Sequence, residues 1–407
     1  MTTTLFVCHE GQRTGAPLVL LWLIRWLLAN TSIRPVVALM RDGPLRDEFA
    51  ALCPTYTFIT RPVAERWHKR LSRRLTNSQT GDPDAWLAEI VAKVNPECLY
   101  LNTLVLGYCL GKLTIDRRRT KVISHGHEME LGLLLSSRPD LVKLQLALSD
   151  VVVCCAESVK SNLISTHHAN PEICRVITEY IPYTSPQELL SLNCHDASQS
   201  VVDNLRDLHE QGFFLFGFAG SPIDRKGFDL FPQLVKISAQ RFGQIPFKAI
   251  WVGCGPGSIA HQKADRDLQL LGVRDHALLL GGVSCGAAAL RQLDAMTLLS
   301  REDPYPVVAL EAGAMAIPTV CFRHSGGIAE LADQGYAVPI DYLDLDSFAA
   351  ALIQLQQEPE LRQALGKRFQ EKVFRSNTVA TQAAEIATLI SGPKSPNHSL
   401  RLKLQRG

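Results

Sequence analysis

The chain has 407 residues, of which 20% are charged and 46% are apolar, and its 42 lysines and arginines nearly balance 40 aspartates and glutamates. A net charge so close to zero does not suggest a nucleic-acid-binding protein. The composition is that of an ordinary soluble globular protein. Because a single hydrophobic core rarely organises more than about 250–300 residues, the length predicts two domains.

Cysteine usage and hydropathy indicate the cellular compartment of the protein. The eleven cysteines form no C-x-x-C pair, and several fall in apolar runs. We interpret them as buried free thiols in a reducing compartment. The apolar segment 16–29 contains Arg25 and, at 14 residues, is too short for a membrane span. It follows a predicted strand and has no basic region before it, unlike a signal peptide. These features predict a cytoplasmic protein.

The first predicted unit is a strand over residues 4–8, a loop over 9–15 and an apolar helix from Ala16. A loop that contains glycine before a helix N-terminus can bind an anion through backbone N–H groups. The loop does not match the G-x-G-x-x-G dinucleotide pattern. On these residues alone, a plain strand–helix turn and a ligand-binding loop both stay open.

A basic stretch occupies residues 61–75 in the predicted N-terminal domain. Its basic side chains alternate with tryptophan and leucine: Arg66, Lys69, Arg70, Arg73 and Arg74. The stretch is either a solvated helix face or a surface that docks on anionic lipid or polymer. A second basic run, 117–121, leads into a predicted strand over residues 121–124.

A histidine pair ends that strand in the sequence His125-Gly126-His127-Glu128. The pair indicates a metal site only weakly, because no further ligands follow at matched spacing. A histidine just past a strand of an α/β domain lies where ligands bind, and its pKa near neutrality suits a hydrogen bond to a ligand hydroxyl. We therefore predict no bound metal and a ligand contact from a histidine of this pair.

Strand–helix alternation in both halves predicts an α/β protein with two doubly wound parallel sheets. Residues 186–212 lose apolar periodicity, so we interpret them as the connection between an N-terminal domain, 1–185, and a C-terminal domain, 213–375. A last helix is predicted within 376–392. The tail, 393–407, has four basic residues and no acidic ones, and we predict it to be disordered.

The C-terminal domain opens with an apolar strand and the loop 220–227, which carries Arg225 and Lys226. A glycine loop before a helix, with two cations at one point, is able to hold a diphosphate. An exposed basic turn is the simpler alternative. A second glycine loop, 253–257, follows the next predicted strand.

Residues 300–330 carry the strongest signal. An acidic loop containing Glu302 and Asp303 precedes a helix predicted over 307–316, with Pro306 at its first position. Glu311 is the only charged residue between 304 and 322. Small neighbours imply that its helix packs closely, and an isolated buried carboxylate is costly unless something donates a hydrogen bond to it. We predict that Asp303 and Glu311 both face a ligand.

The turn Ser325-Gly326-Gly327 opens the next helix, and we expect its exposed N–H groups to offer an anion site. With Asp303, Glu311 and Pro318, this turn resembles the donor-sugar signature of family 4 glycosyltransferases. Those enzymes have the GT-B fold, two Rossmann-like domains around a deep cleft, with a terminal helix that crosses back to the first domain. The family usually has glutamate where Asp303 stands, and a basic residue where Ser221 stands.

The resemblance implies a retaining, metal-independent transferase that moves a hexose from a nucleotide-diphosphate sugar, without another cofactor, to a sugar, glycolipid or polysaccharide acceptor. Asp303 would contact the transferred sugar and Glu311 the ribose. Of the two histidines, His127 fits the family's sugar-contacting position, which leaves His125 a packing role. The implied catalytic residues are His127, Asp303 and Lys226. The implied donor-binding residues are Gly15, Ala16, Arg225, Lys226, Gly255, Asp303, Glu311, Ser325, Gly326 and Gly327.

Two other functions stay open. A sugar-nucleotide epimerase shares the fold and the diphosphate site, although the spacing of Asp303 and Glu311 before the glycine turn favours the transferase. The second alternative function is that of a GT-B binding subunit that has lost activity, because Asp303 and Ser221 depart from the family pattern. If the basic stretch 61–75 docks on lipid, we expect peripheral attachment at the inner face of a membrane and a lipid-linked or envelope-polysaccharide acceptor.

Overall fold

The computed structural model of the protein describes residues 1–58, 81–190, 198–283 and 286–393. Two predictions lie outside the described residues. One concerns the tail beyond 393, and the other the basic side chains Arg66, Lys69, Arg70, Arg73 and Arg74. No helix in the described ranges is both long and apolar enough to cross a membrane.

Short apolar runs form a first sheet of seven parallel strands in the order β3-β2-β1-β4-β5-β6-β7. Helices cover both faces of such a sheet, which is why its strands are continuously apolar rather than alternating. The strands are β1 (Thr3–Cys8), β2 (Arg34–Leu39), β3 (Thr55–Thr57), β4 (Cys98–Leu101), β5 (Lys121–Gly126), β6 (Val151–Cys154) and β7 (Cys174–Val176).

The second sheet has six parallel strands in the order β10-β9-β8-β11-β12-β13. Its centre is filled by aromatic side chains, including Phe216, Phe247 and the fully buried Trp251. The strands are β8 (Phe214–Ala219), β9 (Phe247–Val252), β10 (Ala277–Leu280), β11 (Ala295–Leu298), β12 (Thr319–Phe322) and β13 (Val338–Ile340).

Sixteen α-helices lie in the described ranges and connect or cover these strands. The first eight are α1 (Gly15–Asn30), α2 (Arg46–Leu52), α3 (Pro83–Val94), α4 (Glu130–Ser136), α5 (Pro139–Leu148), α6 (Glu157–Ser165), α7 (Pro186–Leu190) and α8 (Ser198–Glu210). The others are α9 (Phe231–Phe242), α10 (Ile259–Leu270), α11 (Gly286–Leu290), α12 (Val307–Ala314), α13 (Gly327–Asp333), α14 (Leu345–Gln357), α15 (Pro359–Ser376) and α16 (Val379–Ser391).

The predicted connection contains helices α7 and α8. Val202 and Leu205 of α8 are buried in the core that also contains Phe214 at the start of β8. The prediction that apolar periodicity is lost here is wrong for α8, which has few apolar residues but places them on one face that packs against the C-terminal domain.

The last helix, α16, packs on the N-terminal domain. Ala383, Ile386 and Ile390 share a buried cluster with Ile24 of α1. Lys121, from the second basic run, donates to the carbonyl oxygens of Leu389 at 2.7 Å and Gly392 at 2.5 Å. A cation at a helix C-terminus stabilises its unpaired carbonyls, so this basic residue has a structural role.

Strand order reverses once in each sheet, between β1 and β4 and between β8 and β11. Open α/β sheets bind ligands at the carboxyl ends of strands beside such a reversal. The loops found there are those that the sequence singled out: 9–14 after β1, 220–227 after β8 and the acidic loop, residues 300–306, after β11. The fold therefore positions both halves of a single candidate site.

Candidate functional site

The acidic loop is bound to the basic loop by a buried ion pair. Lys226 Nζ lies 2.5 Å from Asp303 Oδ2, with side chains 17% and 5% exposed. Burial lowers the pKa of Lys226, whereas the neighbouring Asp303 carboxylate opposes that shift. Arg225 donates from Nη1 to the carbonyl oxygen of Glu302 at 2.7 Å. Both predicted diphosphate ligands therefore also hold the acidic loop in place.

Two glycines permit this close approach. Gly227 has φ +73°, and a Cβ there would lie 2.0 Å from the carbonyl oxygen of Leu299. Gly326 has φ +116°, and a Cβ there would lie 2.1 Å from the carbonyl oxygen of Asp303. Larger residues would be strained by the backbone conformation and would collide with main-chain atoms. The loops that carry Lys226, Asp303 and Gly326 can pack against one another only with glycine at these points.

Glu311 lies on the second turn of α12, which begins at Val307 with Pro306 as the preceding cap residue rather than the first helical one. No described residue donates a hydrogen bond to its carboxylate. Burial raises the pKa of Glu311 to about 7. A partly buried acid without a protein partner is destabilising, so this position is best explained by a ligand that supplies the missing donors.

The expectation of exposed N–H groups at Ser325-Gly326-Gly327 is wrong in part. All three residues are buried, and the N–H of Gly327 donates to the carbonyl oxygen of Pro304 at 2.8 Å. Ser325 Oγ donates to the carbonyl oxygen of Phe322 at 2.7 Å. The turn supports the acidic loop, and the Gly327 N–H is already used.

The remaining predicted donor residues lie at strand ends. Gly15 and Ala16 begin α1, and no side chain caps this helix start. Asn102, just after β4, donates to the carbonyl oxygen of Ala16 at 2.9 Å. Gly255 follows β9, and a Cβ built on it would lie 3.5 Å from the Cα atom of Gly281. The N-terminus of a 16-residue helix at the strand reversal gives free backbone N–H groups for an anion.

His127 lies at the end of β5 in the other domain. Its Nδ1 is 2.5 Å from Oε1 of Glu179, with side chains 8% and 4% exposed. The neighbouring Glu128 does not bind the ring: its carboxylate accepts from the hydroxyl of Thr103 and the N–H of Leu104 and so caps a short 3-10 helix. The acid that partners His127 is therefore 52 residues away, not adjacent in sequence.

His125, His127 and Glu179 have possible ligand atoms within 4.8 Å of one another. Two ligands of one tetrahedral zinc ion would be about 3.4 Å apart for bonds of about 2.1 Å. His127 and Glu179 are closer than that, at hydrogen-bond distance, and His125 Nδ1 is hydrogen-bonded to the Tyr100 hydroxyl at 2.7 Å. In the structure His127 and Glu179 therefore form a hydrogen-bonded pair, while Nε2 of His125, Nε2 of His127 and Oε2 of Glu179 have no partner among the described residues.

The two domains meet through carboxylates at helix N-termini. Glu302 of the acidic loop accepts from the N–H groups of Leu131 and Gly132 in α4, at 2.8 and 2.9 Å. Glu330 of α13 accepts from the N–H of Ser158 in α6 at 2.7 Å. Anions are favoured at helix starts, where N–H groups lack partners. These contacts join the two domains beside the acidic loop.

We expect the double variant Glu302→Ala/Glu330→Ala to open the cleft. Each carboxylate makes charge-assisted hydrogen bonds that contribute about 1.5–3 kcal/mol. Small-angle X-ray scattering should show a larger radius of gyration for the double variant than for wild type. Glu385→Ala, on the exposed face of α16, is the control. Equal radii for all three proteins would contradict a role for these contacts in closure.

Sequence reasoning missed four residues that organise this site: Glu179, Glu302, Glu330 and Asn377. In the sequence, Glu302 only adjoins Asp303, and Glu330 only ends the segment 300–330. Glu179 follows a short strand, and Asn377 separates α15 from α16. Their partners lie on other elements, 52 to 198 positions away, and no local pattern signals such pairs.

Comparison with known proteins shows what the C-terminal domain is similar to. Residues 214–358 match the model of the Glycosyl transferases group 1 family. Over 155 residues the chain is 31% identical to N-acetyl-alpha-D-glucosaminyl L-malate synthase of Bacillus anthracis, a match that covers 37% of this chain and 39% of that protein. The match thus spans about two fifths of that relative.

Solved structures share the fold over nearly the whole chain. Anabaena Alr3699/HepE in complex with UDP-glucose matches with a TM-score of 0.75 and 17% identity, covering 97% of this chain and 100% of that chain. Sucrose-phosphate synthase from Thermosynechococcus elongatus matches with a TM-score of 0.71 and 15% identity, covering 96% of this chain and 98% of that chain. WaaG, a glycosyltransferase involved in lipopolysaccharide biosynthesis, matches with a TM-score of 0.68 and 13% identity, covering 96% of this chain and 100% of that chain. The predicted GT-B fold and the family resemblance are confirmed.

Proposed function

We propose that this GT-B protein, whose C-terminal domain is of the glycosyl transferases group 1 family, moves a hexose from a nucleotide-diphosphate sugar to an acceptor hydroxyl with retention of anomeric configuration. The observation that carries the proposal is Glu311. It is a partly buried carboxylate in the cleft at the carboxyl ends of the second sheet's strands; burial raises its pKa, and no described residue donates a hydrogen bond to it. Two ribose hydroxyls would supply the missing hydrogen bonds, which explains why the fold keeps a costly acid there.

The other cleft residues have roles consistent with this donor. Asp303 binds the transferred sugar, and His127 contacts it from the N-terminal domain. Arg225, Lys226 and the N-terminus of α1 at Gly15 neutralise the diphosphate. The acceptor oxygen forms its bond to the anomeric carbon on the face that the leaving group departs from, while the bond to the phosphate oxygen breaks. That phosphate oxygen takes the acceptor proton, so retention requires no protein nucleophile.

Uracil is the first donor base to test, because the similar Anabaena structure holds UDP-glucose. A saccharide or lipid-linked acceptor agrees with the similarity to WaaG, described as acting in lipopolysaccharide biosynthesis. Attachment to an anionic membrane through the basic stretch 61–75 stays a prediction, since that stretch lies outside the described residues. Liposome pelleting at low and high salt tests it.

The deciding experiment is a thermal-shift panel of UDP, GDP, ADP and CDP with their hexose sugars, followed by turnover assays. A ligand at 100 times its Kd stabilises the folded state by about 2.7 kcal/mol, so a bound donor raises the melting temperature. Nucleotide release that depends on an acceptor supports the transferase. Hexose interconversion without an acceptor would instead indicate an epimerase, and binding without turnover an inactive subunit. No shift with any nucleotide would contradict the proposal.

We expect turnover to persist in excess EDTA. Arg225, Lys226 and the free N–H groups at the start of α1 meet the charge of the departing diphosphate, so a divalent ion is not needed for that purpose. The assay compares initial rates before and after chelation, with the nucleotide sugar held constant. Loss of activity that Mg²⁺ or Mn²⁺ restores would contradict this expectation and give Asp303 or His127 a metal-binding role.

A further inference from the structure

We propose that Glu179 is a positioning residue that holds the ring of His127 in the orientation needed to contact the donor sugar, and that buried Asn377 fixes Glu179 relative to the acidic loop. This inference rests on the proposed function and deepens it, because it explains how a histidine of one domain is set against a sugar bound by the other. Glu179 would touch neither donor nor acceptor.

The first support is the geometry of the pair. Glu179 Oε1 binds His127 Nδ1 at 2.5 Å with both side chains more than nine-tenths buried. The two nitrogens of an imidazole point away from each other, so this bond turns Nε2 away from Glu179 and leaves it for another partner. Nε2 of His127 is buried and has no hydrogen-bond partner in the described part of the chain. A buried polar atom of this kind calls for a partner, and a donor-sugar hydroxyl supplies one.

The second support is the link from Glu179 to the other domain. Asn377 Nδ2 lies 2.8 Å from the carbonyl oxygen of Glu179 and 3.2 Å from the hydroxyl of Tyr305 in the acidic loop. The N–H of Ile181 donates to the carbonyl oxygen of Asn377 at 2.9 Å. Asn377 is fully buried; its amide nitrogen is hydrogen-bonded, whereas its Oδ1 has no partner among the described residues. One side chain therefore fixes the spacing between Glu179 and the loop that carries Asp303.

The third support is the position of the His127 loop. Met129, two residues after His127, lies against the acidic-loop side of the cleft: a Cβ built on Gly326 would be 3.2 Å from its sulfur. Gly326 in turn pairs with Asp303 by a β-bridge. The His127 loop and the Asp303 loop are thus neighbours across the domain boundary, as a shared sugar ligand requires.

The charges that face His127 come from several elements. Burial alone would lower the pKa of His127. The Glu179 carboxylate and its hydrogen bond outweigh burial, so the pKa is raised. Glu128 adds to this rise, and His9 opposes it. The ring of His125 packs against that of His127 at a tilt of 38°, with 3.9 Å between centroids. Burial and the charge of His127 lower the pKa of His125. The net effect of these charges favours the protonated form of His127, in which Nε2–H donates to a sugar oxygen.

The experiment compares wild type with Glu179→Gln by steady-state transfer across pH 5.5–9 and by UDP binding. The change should lower kcat by up to about 100-fold, the scale of a small misplacement at a reacting centre. The Kd for UDP should stay within about twofold of wild type, since the nucleotide does not reach His127. At saturating donor, where the titration of Glu311 does not limit binding, the kcat of the wild type should decline as pH rises through the raised pKa of His127, and in Glu179→Gln that decline should move to lower pH.

The matched control is Glu130→Gln. It removes the carboxylate from another histidine–glutamate pair of the same domain, His167 Nε2 to Glu130 Oε2 at 2.8 Å, and should leave kcat and its pH profile unchanged. Unchanged kcat and pH profile in Glu179→Gln would overturn the proposal, and so would losses equal to those of Glu130→Gln. Wild-type protein that binds UDP but transfers no sugar would contradict the proposed function instead.

A measurement on wild type keeps the test valid if Glu179→Gln does not fold. Two-bond ¹H–¹⁵N spectra of histidine-labelled protein report the protonation of each ring nitrogen, and His127→Gln identifies the His127 signals by difference. The proposal predicts a proton on Nδ1 and a titration above the usual pKa of about 6.5. A His127 ring without a proton on Nδ1, or one that titrates at or below that value, would overturn it with or without activity.

Discussion

Replacing Glu311 with glutamine is expected to abolish donor binding while making the ligand-free protein more stable. Two charge-assisted hydrogen bonds from ribose hydroxyls contribute about 1.5–3 kcal/mol each. Their loss weakens the Kd for the nucleotide by at least about 100-fold. Isothermal titration with UDP measures this change, and an unchanged Kd would remove the central observation of the proposed function.

The stability change follows from the pKa of Glu311, which burial raises from its usual 4.5 to about 7. The folded state therefore binds more protons than the unfolded state between those values, and the free energy of unfolding of the wild type falls as pH rises through that window. Glutamine lacks this titration. At about 1.4 kcal/mol per pKa unit, the variant should be more stable by up to about 3 kcal/mol above pH 7, with no difference below pH 4.5.

Urea unfolding of the ligand-free proteins at pH 5 and pH 8 measures the effect, with Glu385→Gln on the exposed face of α16 as the control. A second readout is the pH dependence of nucleotide affinity. Only ionised Glu311 accepts from both ribose hydroxyls, so wild-type binding relative to that of Glu311→Gln should weaken about tenfold from pH 8 to pH 6. A variant that is destabilised, or a wild type without this pH dependence, would show that Glu311 is an ordinary structural residue.

The sequence was sufficient to predict the two sheets and the loops between them. Apolar runs of four to six residues, each followed by a helical pattern, are typical of parallel strands buried on both faces. Since such strands place their carboxyl ends at one edge, Lys226 and Asp303 could be expected near each other before any contact was known. Short elements were less certain: β7 ends at Val176, whereas the apolar pattern continues to Ile181, which instead pairs with Thr378.

Interactions between the domains could not be predicted. The pattern around Ser325-Gly326-Gly327 indicated free N–H groups, but the neighbouring acidic loop uses that of Gly327. Glu302 and Glu330 look like solvated charges in the sequence, yet each accepts hydrogen bonds from a helix start in the other domain. Local propensity depends on neighbours along the chain, whereas these contacts depend on how two folded domains meet.

The ion pair between Lys226 and Asp303 gives the second large expected effect. Lys226→Met should lower kcat/KM by about 100- to 1,000-fold, the usual cost of removing one group that stabilises developing charge. It should also lower the free energy of unfolding by about 3–5 kcal/mol, because it leaves Asp303, whose side chain is 5% exposed, buried and unpaired.

The double variant Lys226→Met/Asp303→Asn separates the two effects. Removing both charges eliminates the unpaired carboxylate, so stability should return to near that of wild type, since replacing a buried pair by neutral groups is often neutral. Activity should stay lost, because neither the diphosphate nor the sugar regains its partner. The surface pair Arg241–Asp346, at 2.8 Å with side chains 41% and 69% exposed, is the control: Arg241→Met should cost less than about 1 kcal/mol and leave turnover unchanged. Recovery of activity together with stability in the double variant would show that the pair maintains the loop and takes no part in transfer.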